Sequence, residues 1–362
     1  MQKKGISLNC PVRIALDRSE DMVITGKRHS YLCQWKVSFN DDGVFSALSM
    51  DVYANGGCTA DYSAGVIQKA MLCMDSAYKC DNTLVRGYAC KTHLPSNTAC
   101  RGTGGPQGTF FSEDIISRVA AYLKKDANEI REKNLYHTGD FTHYNQSVDT
   151  CTVHQCWDEV IEQANYSERK ADIERFNREN RYRKRGLSTV PLKYGVSFPT
   201  RVLMQAGALV LVYTDGSVLL SHGGIEMGQG LHTKMIQVAS RVLQIPTHKI
   251  HITDTATDKV PNTSPSAASS SSDLNGMAVK DACEKIIQRL EPYVTQNPTG
   301  SWEDWVKAAY FDRVSLSAAG FYKWWALVEC ALQRTYMDNE GSCYAACCLL
   351  GIWVVAVNDV GI

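Results

Sequence analysis

Apolar residues recur along this chain with two periods, and the switches between them predict its elements. Cys33 to Phe39 and Val44 to Tyr53 are rich in β-formers and flank Asn40-Asp-Asp-Gly43, which predicts a hairpin. Phe45, Ala47, Ser49 and Asp51 alternate imperfectly against Val44, Leu48, Met50 and Val52, so one face should be half-buried. Asn55-Gly-Gly57 breaks that strand. Upstream, Ser19 and the charges after it predict a helix start, with Gly26 as its end. Val66 to Met74 reads as a short helix carrying Lys69 among apolar neighbours. Ser112 to Lys125 is a helix with Ile115, Ile116, Val119 and Leu123 on one stripe, and Asp126 to Leu135 is a second. Residues 155–184 are the most charged section, with Trp157, Val160, Ile161, Ile173 and Phe176 at near-helical spacing.

From Gly186 the period turns to two. Leu187 to Phe198, Gln205 to Tyr213 and Val218 to Ser221 read as strands, with Asp215-Gly216 as a hairpin turn. Leu231 to Leu243 is a helix facing inward with Met235, Val238, Ala239 and Val242. A strand at Ile250 to Asp254 follows, then a small-residue run from Thr263 to Ser272. A helix carrying Met277, Cys283, Ile286, Ile287 and Leu290 comes next, and another at Trp302 to Tyr310. Strands mixed with helices and antiparallel hairpins predict an α+β fold, not a doubly wound sheet.

The 362 residues have room for about two or three domain-sized units. Charge is balanced, 38 basic against 38 acidic residues, which gives no basic field for nucleic acid. Fourteen cysteines show neither a zinc framework nor an iron–sulfur run, and the start has no secretory signal. The expectation is a cytoplasmic protein with reduced thiols. Cys343 to Val357 is an apolar run shorter than the roughly 20 residues that span a membrane, so no membrane anchor is expected.

The candidate chemistry lies in two glycine-rich stretches, Arg101 to Gly108 and His222 to Gly230. Each precedes a helical pattern, so each could aim backbone N–H groups at an anion. Neither has the spacing of the common nucleotide loops. Polar side chains (Arg101 and Gln107 in one, Gln229 in the other) suit a phosphate-bearing or oxo-rich cofactor approached by backbone.

These residues also carry a resemblance. Ala99-Cys-Arg-Gly-Thr-Gly-Gly-Pro-Gln107, Gly223-Gly-Ile-Glu-Met-Gly-Gln-Gly-Leu-His-Thr-Lys234 and Pro261-Asn-Thr-Ser-Pro-Ser-Ala-Ala268 are similar to the molybdopterin-domain motifs of the xanthine dehydrogenase and aldehyde oxidase family. The likeness runs from about Pro11 to Lys323. It implies two mixed α/β-type subdomains clasping the cofactor, divided near Gly186: residues 11–185, then 186–323, with an unrelated tail at 324–362. It also implies oxidation of purines, hypoxanthine or xanthine to urate, with oxygen from water, or of aldehydes. Molybdenum-molybdopterin would be the cofactor. Iron–sulfur clusters and FAD belong to other parts of the intact family enzyme. A homodimer is implied too; the balanced charge argues against a nucleic-acid partner.

By the same resemblance, Arg101 and Ala268 would sit beside the molybdenum. Arg101, Gly102, Gln107, Gly228, Gln229, Ala267 and Ala268 would hold the cofactor, with Ser264 to Ser269 lining the same side. Lys69, Thr103, Phe198 and Pro199 would face the substrate. Three of these depart from the family pattern. Lys69 stands for an arginine, Thr103 for a stacking phenylalanine and Pro199 for a threonine, which weakens the purine pocket. The family's upstream phenylalanine-glycine-glycine-lysine-glutamate motif is not in residues 1–10, and its catalytic Gly-Glu-Pro-Pro motif lies beyond the chain. No catalytic residue is assigned. The expectation is a partial, inactive molybdenum hydroxylase, or a non-catalytic product that pairs with a full-length subunit.

Overall fold

The computed structural model describes residues 14–198, 201–253, 255–324 and 351–361. After a short helix α1 (Arg18–Ile24), strands β1 (Tyr31–Phe39) and β2 (Phe45–Gly57) form the expected antiparallel hairpin. Its turn forms because the Asn40 side-chain oxygen accepts from the backbone N–H groups of Asp42 and Val44. Helix α2 (Ser63–Leu72) then crosses to β3 (Thr83–Lys91), which pairs parallel to β2.

Strand β3 had no counterpart in the hydrophobic pattern, for a physical reason. Its central inward position is Gly87, where a Cβ would come 2.6 Å from Met71 Sδ and 2.8 Å from Ile67 Cγ1 of α2. Close helix–strand approach requires the missing side chain, and the alternation signal disappears with it.

Helix α3 (Gly105–Leu123) also departs from expectation, starting seven residues before Ser112. The stretch read as a loop is its first turn, with Gly104 left-handed at the cap and proline in the first turn. Helix α4 (Ala127–Asn134) is capped by Asp126, whose side chain accepts from Asn128 N–H. One core joins Leu48, Met50, Val52 and Ala54 of β2 to Ile67 and Ala70 of α2 and to Ile115, Ile116 and Val119 of α3.

The charged section is two helices, α5 (Val153–Gln163) and α6 (Tyr166–Glu179), broken at left-handed Asn165. Its solvated character is as expected, with Trp157 and Ile173 as the buried anchors. Strand β4 (Arg185–Gly195) follows. It pairs antiparallel, along its full length, with the last described strand, β9 (Gly351–Gly361).

A four-stranded sheet has the order β7-β6-β5-β8, built from β5 (Gln205–Val212), β6 (Val218–His222), β7 (Ile250–Ile252) and β8 (Ser317–Lys323). Helices α7 (Leu231–Leu243), α8 (Ser271–Gln296) and α9 (Trp302–Phe311) belong to the same half. They bury a second core in which Val210, Leu220, Met235, Ala278, Cys283 and Ile286 take part. Met277 and Ile287 turn outward, at 38% and 36% exposed. The inward stripe of α8 runs instead through Leu274, Ala278, Ala282, Ile286 and Leu290, four residues apart at each step. Among the described residues no helix is long and apolar enough to cross a membrane.

Candidate functional site

The first glycine stretch is shaped by packing. A Cβ on Gly104 (φ +79°) would stand 2.2 Å from the Val66 carbonyl oxygen, and one on Gly108 would stand 2.7 Å from that of Ala70. These glycines let α3 start flush against α2. The loop's polar groups are thereby fixed. Gln107 Nε2 donates to the His29 carbonyl at 3.1 Å, while its Oε1 is buried without a hydrogen-bond partner among the described residues. The Arg101 side chain is exposed, and its carbonyl accepts from the Arg28 guanidinium. Thr103 sits at φ +39°, an unusual place for a β-branched residue.

Tyr194, at the end of β4, ties this loop to others. Its hydroxyl donates to the Gly102 carbonyl at 3.2 Å, with Ser269 close enough to act on it. Burial, then the nearby Cys73, pushes the Tyr194 hydroxyl above its ordinary range, so it stays protonated as the donor. The Lys69 ammonium lies 4.8 Å from the centre of its ring and donates to the Gly195 carbonyl at 2.9 Å. Lys69 is therefore held at the end of β4 by a cation–π contact and a backbone acceptor.

The second stretch satisfies itself. The Glu226 carboxylate accepts from the backbone N–H groups of Gly228 (2.8 Å), Gly230 (3.0 Å) and His232 (3.0 Å). Those bonds, His232 first, hold Glu226 down at about 2. Donors expected to face an external anion are thus occupied by the loop's own acid at the start of α7. Gln229 likewise turns inward, donating to the Ile225 carbonyl and accepting from Met227 N–H. Gly228 and Gly230 have left-handed backbones with open space where a side chain would stand. Ile225 N–H donates to Ser266 Oγ at 2.8 Å, which joins this loop to the small-residue run. Within that run Ala268 and Ser269 are both left-handed (φ +54° and +58°), and the Ala267 carbonyl accepts from Ser270.

The three stretches singled out in sequence therefore meet: Tyr194 bonds the first and stands beside Ser269 of the third, and Ser266 bonds the third to the second. Phe198 is buried in the second core, with Met204 Sδ accepting from its N–H at 3.5 Å. Pro199 lies outside the described residues. Sequence reasoning did not single out Tyr194, Glu226 or the buried His222. An acid between glycines just ahead of a helix was the available signal for Glu226.

Two family profiles, both described as molybdopterin cofactor-binding domain, match residues 5–135 and 159–358. The chain belongs to this molybdopterin cofactor-binding family. It is 56% identical over 313 residues to the xanthine dehydrogenase/oxidase of Mus musculus, covering 86% of this chain and 23% of that protein. Xanthine dehydrogenase 1 of Arabidopsis thaliana is 48% identical over 315 residues, covering 87% of this chain and 23% of that protein. The chain thus spans about a quarter of the length of the curated relatives it matches. Among solved structures, aldehyde oxidoreductase from Desulfovibrio gigas superposes with TM-score 0.76 at 21% identity, covering 93% of this chain and 35% of that one. Carbon monoxide dehydrogenase from Oligotropha carboxidovorans gives 0.77 at 18%, covering 99% and 48%. These likenesses show the α+β fold of the molybdopterin-binding domain.

The residues fit the cofactor. A pterin presents ring donors and acceptors, and the buried Gln107 Oε1 is an acceptor still lacking a donor. The open faces of Gly228 and Gly230 permit close approach of a planar ring.

Proposed function

We propose that the chain forms the molybdopterin cradle of a xanthine-dehydrogenase-type molybdenum hydroxylase acting on a purine. One observation carries this reading: the three motif stretches meet, with Tyr194 bonded to the first and beside the third, and Ser266 bonding the third to the second. Gln107 would bind the ring through its unpaired amide oxygen. Gly228 and Gly230 would let the second loop lie against the pterin, and the left-handed Ala268–Ser269 pair would bring backbone towards the molybdenum, with Arg101 alongside. When bound, the cofactor supplies the two-electron oxidation that water-derived hydroxylation needs. Lys69, Thr103, Phe198 and Pro199 would contact the substrate.

A second reading, an aldehyde-type specificity, draws on the engagement of Lys69 with Gly195 and Tyr194, which leaves that ammonium poorly disposed to orient a purine. Division near Gly186 is supported by the two separate cores. The nine described cysteines are all free thiols, which supports a reducing, cytoplasmic location. A homodimer is proposed from the family resemblance.

Molybdopterin released under reducing conditions and mixed with the chain should co-elute in gel filtration by pterin fluorescence. A Tyr194→Phe/Ser266→Ala double variant should retain clearly less. Equal retention by both proteins, or none by either, would overturn the cradle.

A further inference from the structure

His222 closes β6 and is 1% exposed. The Gly224 backbone N–H donates to its Nδ1 at 3.1 Å. A backbone N–H can only donate, so this nitrogen carries no proton and the neutral ring must carry its proton on Nε2. That Nε2 lies 2.9 Å from Nδ1 of His232, which must therefore accept. One backbone group thus sets the tautomers of both rings. His232 ties this pair to the loop, because its backbone N–H donates to Glu226, which gathers Gly228 and Gly230 around Gln229.

An added proton has no place in this chain. On His232 Nδ1 it would face the Nε2–H of His222. If His222 moved its proton to Nδ1 instead, that proton would face the Gly224 N–H. We propose that His222 is a positioning residue for the second glycine loop, holding it while the histidine pair is neutral and releasing it when the pair takes up a proton. The loop's importance for cofactor binding rests on the proposed cradle; the latch itself does not.

Among the described residues, the ionisable groups bearing on His222 are His232 and Glu226. Ala208, opposite in β5, and Asn275, against Gly224, carry no charge. Burial, followed by His232, lowers His222 to about 4, with Glu226 opposing. A base whose folded value is depressed contributes in full above its unfolded value of 6.5 and loses that contribution as pH falls towards about 4.

Hydrogen exchange of the cofactor-free chain, read by mass spectrometry and corrected for intrinsic rates, tests this. Protection over residues 225–232 should fall by up to about tenfold per pH unit between pH 6.5 and about 4.5, the slope of one linked proton. Protection of β5 should stay constant. His222→Gln offers its amide N–H to neutral His232 and, turned over, its amide oxygen to protonated His232, so it should hold the loop with a flat profile. His222→Asn keeps only the acceptor for Gly224 and should leave the loop open throughout. The same pH-dependent loss in His222→Gln, or no loss in wild type, would overturn the latch. Should β5 also open in acid, imidazole nitrogen shifts at pH 7 decide: a proton on Nδ1 of His222 overturns it. Cofactor retention is measured separately, so either proposal can fail alone.

Discussion

The Tyr194 hydroxyl donates to the Gly102 carbonyl over 3.2 Å while its ring carries the Lys69 ammonium on one face. Tyr194→Phe keeps the face and removes the hydroxyl, leaving the Gly102 carbonyl short of a partner. The expected cost is about 1 kcal/mol, the usual worth of such a bond. Tyr194→Leu should lose roughly 0.5–1 kcal/mol more with the cation–π contact. Urea midpoints would show this, and two variants of equal stability would mean that Lys69 gains nothing from the ring.

Gly104 and Gly139 make a matched pair. Both have positive φ, +79° and +92°, but a Cβ on Gly139 meets nothing within 4 Å, whereas one on Gly104 strikes the Val66 carbonyl. Gly139→Ala should therefore cost about 1–2 kcal/mol, the left-handed penalty alone. Gly104→Ala adds overpacking against backbone, for roughly 3–5 kcal/mol in all. Thermal unfolding checks the order, and equal losses would show that α2 can move aside.

A buried ion pair joins β4 to the end of α2. Lys193 bonds Asp75, Tyr136 donates to the same carboxylate at 2.9 Å, and both charged residues are under a tenth exposed. Burial would raise the Asp75 carboxyl, but Lys193 and then His143 outweigh it and leave it below its ordinary value. Burial would likewise lower Lys193, and Asp75 reverses that. The pair's contribution should therefore be full between about pH 4 and 10, the unfolded values. It falls as acid protonates Asp75 and as base deprotonates Lys193. Asp75→Asn strands a buried ammonium and should cost about 3–5 kcal/mol, much of it recovered by Asp75→Asn/Lys193→Met. Failure of the second change to recover stability would locate the cost in Tyr136 or His143 instead.

What the sequence disclosed depended on whether the signal was local. The bounds of α7 could be read directly, because Leu231, Met235, Ala239 and Leu243 repeat every four residues between a glycine loop and a left-handed Gln244. Strand β3 and the first turn of α3 could not, because their glycines answer to α2, a partner distant in sequence. The same holds for the site. Its glycine loops and the run holding Ser266 stood out in the sequence, whereas Tyr194 matters only through what the fold sets beside it. Lys193 and Tyr194 are neighbours on one strand, and the pleat sends one to Asp75 and the other to Gly102.

Substrate preference can be tested in a full-length enzyme carrying this segment. Thr103 lacks an aromatic contact worth about 0.5–1.5 kcal/mol, and Lys69 lacks the planar fork of arginine. Thr103→Phe with Lys69→Arg should raise the purine-to-aldehyde ratio of kcat/KM by about two- to tenfold. No gain would remove these two positions from the substrate pocket.

Glu226 offers the last test, because it separates the loop's acid from the histidines beside it. Its carboxylate closes the start of α7 with three backbone bonds, and the His232 N–H above all holds it down to about 2 from an ordinary 4.5. A carboxyl with a depressed folded value contributes in full above its unfolded value and loses that as pH falls through the folded one. Between pH 5 and 8 Glu226 therefore stays charged and adds no slope. Glu226→Ala uncovers the N–H groups of Gly228, Gly230 and His232, so protection of residues 225–232 should drop throughout that range. Any slope that remains belongs to the His222–His232 pair. Formate is small enough to occupy the vacated position and should restore protection in the variant while leaving wild type unchanged. Wild-type protection in Glu226→Ala without formate would show that the loop is held by Gln229 and Ser266 alone.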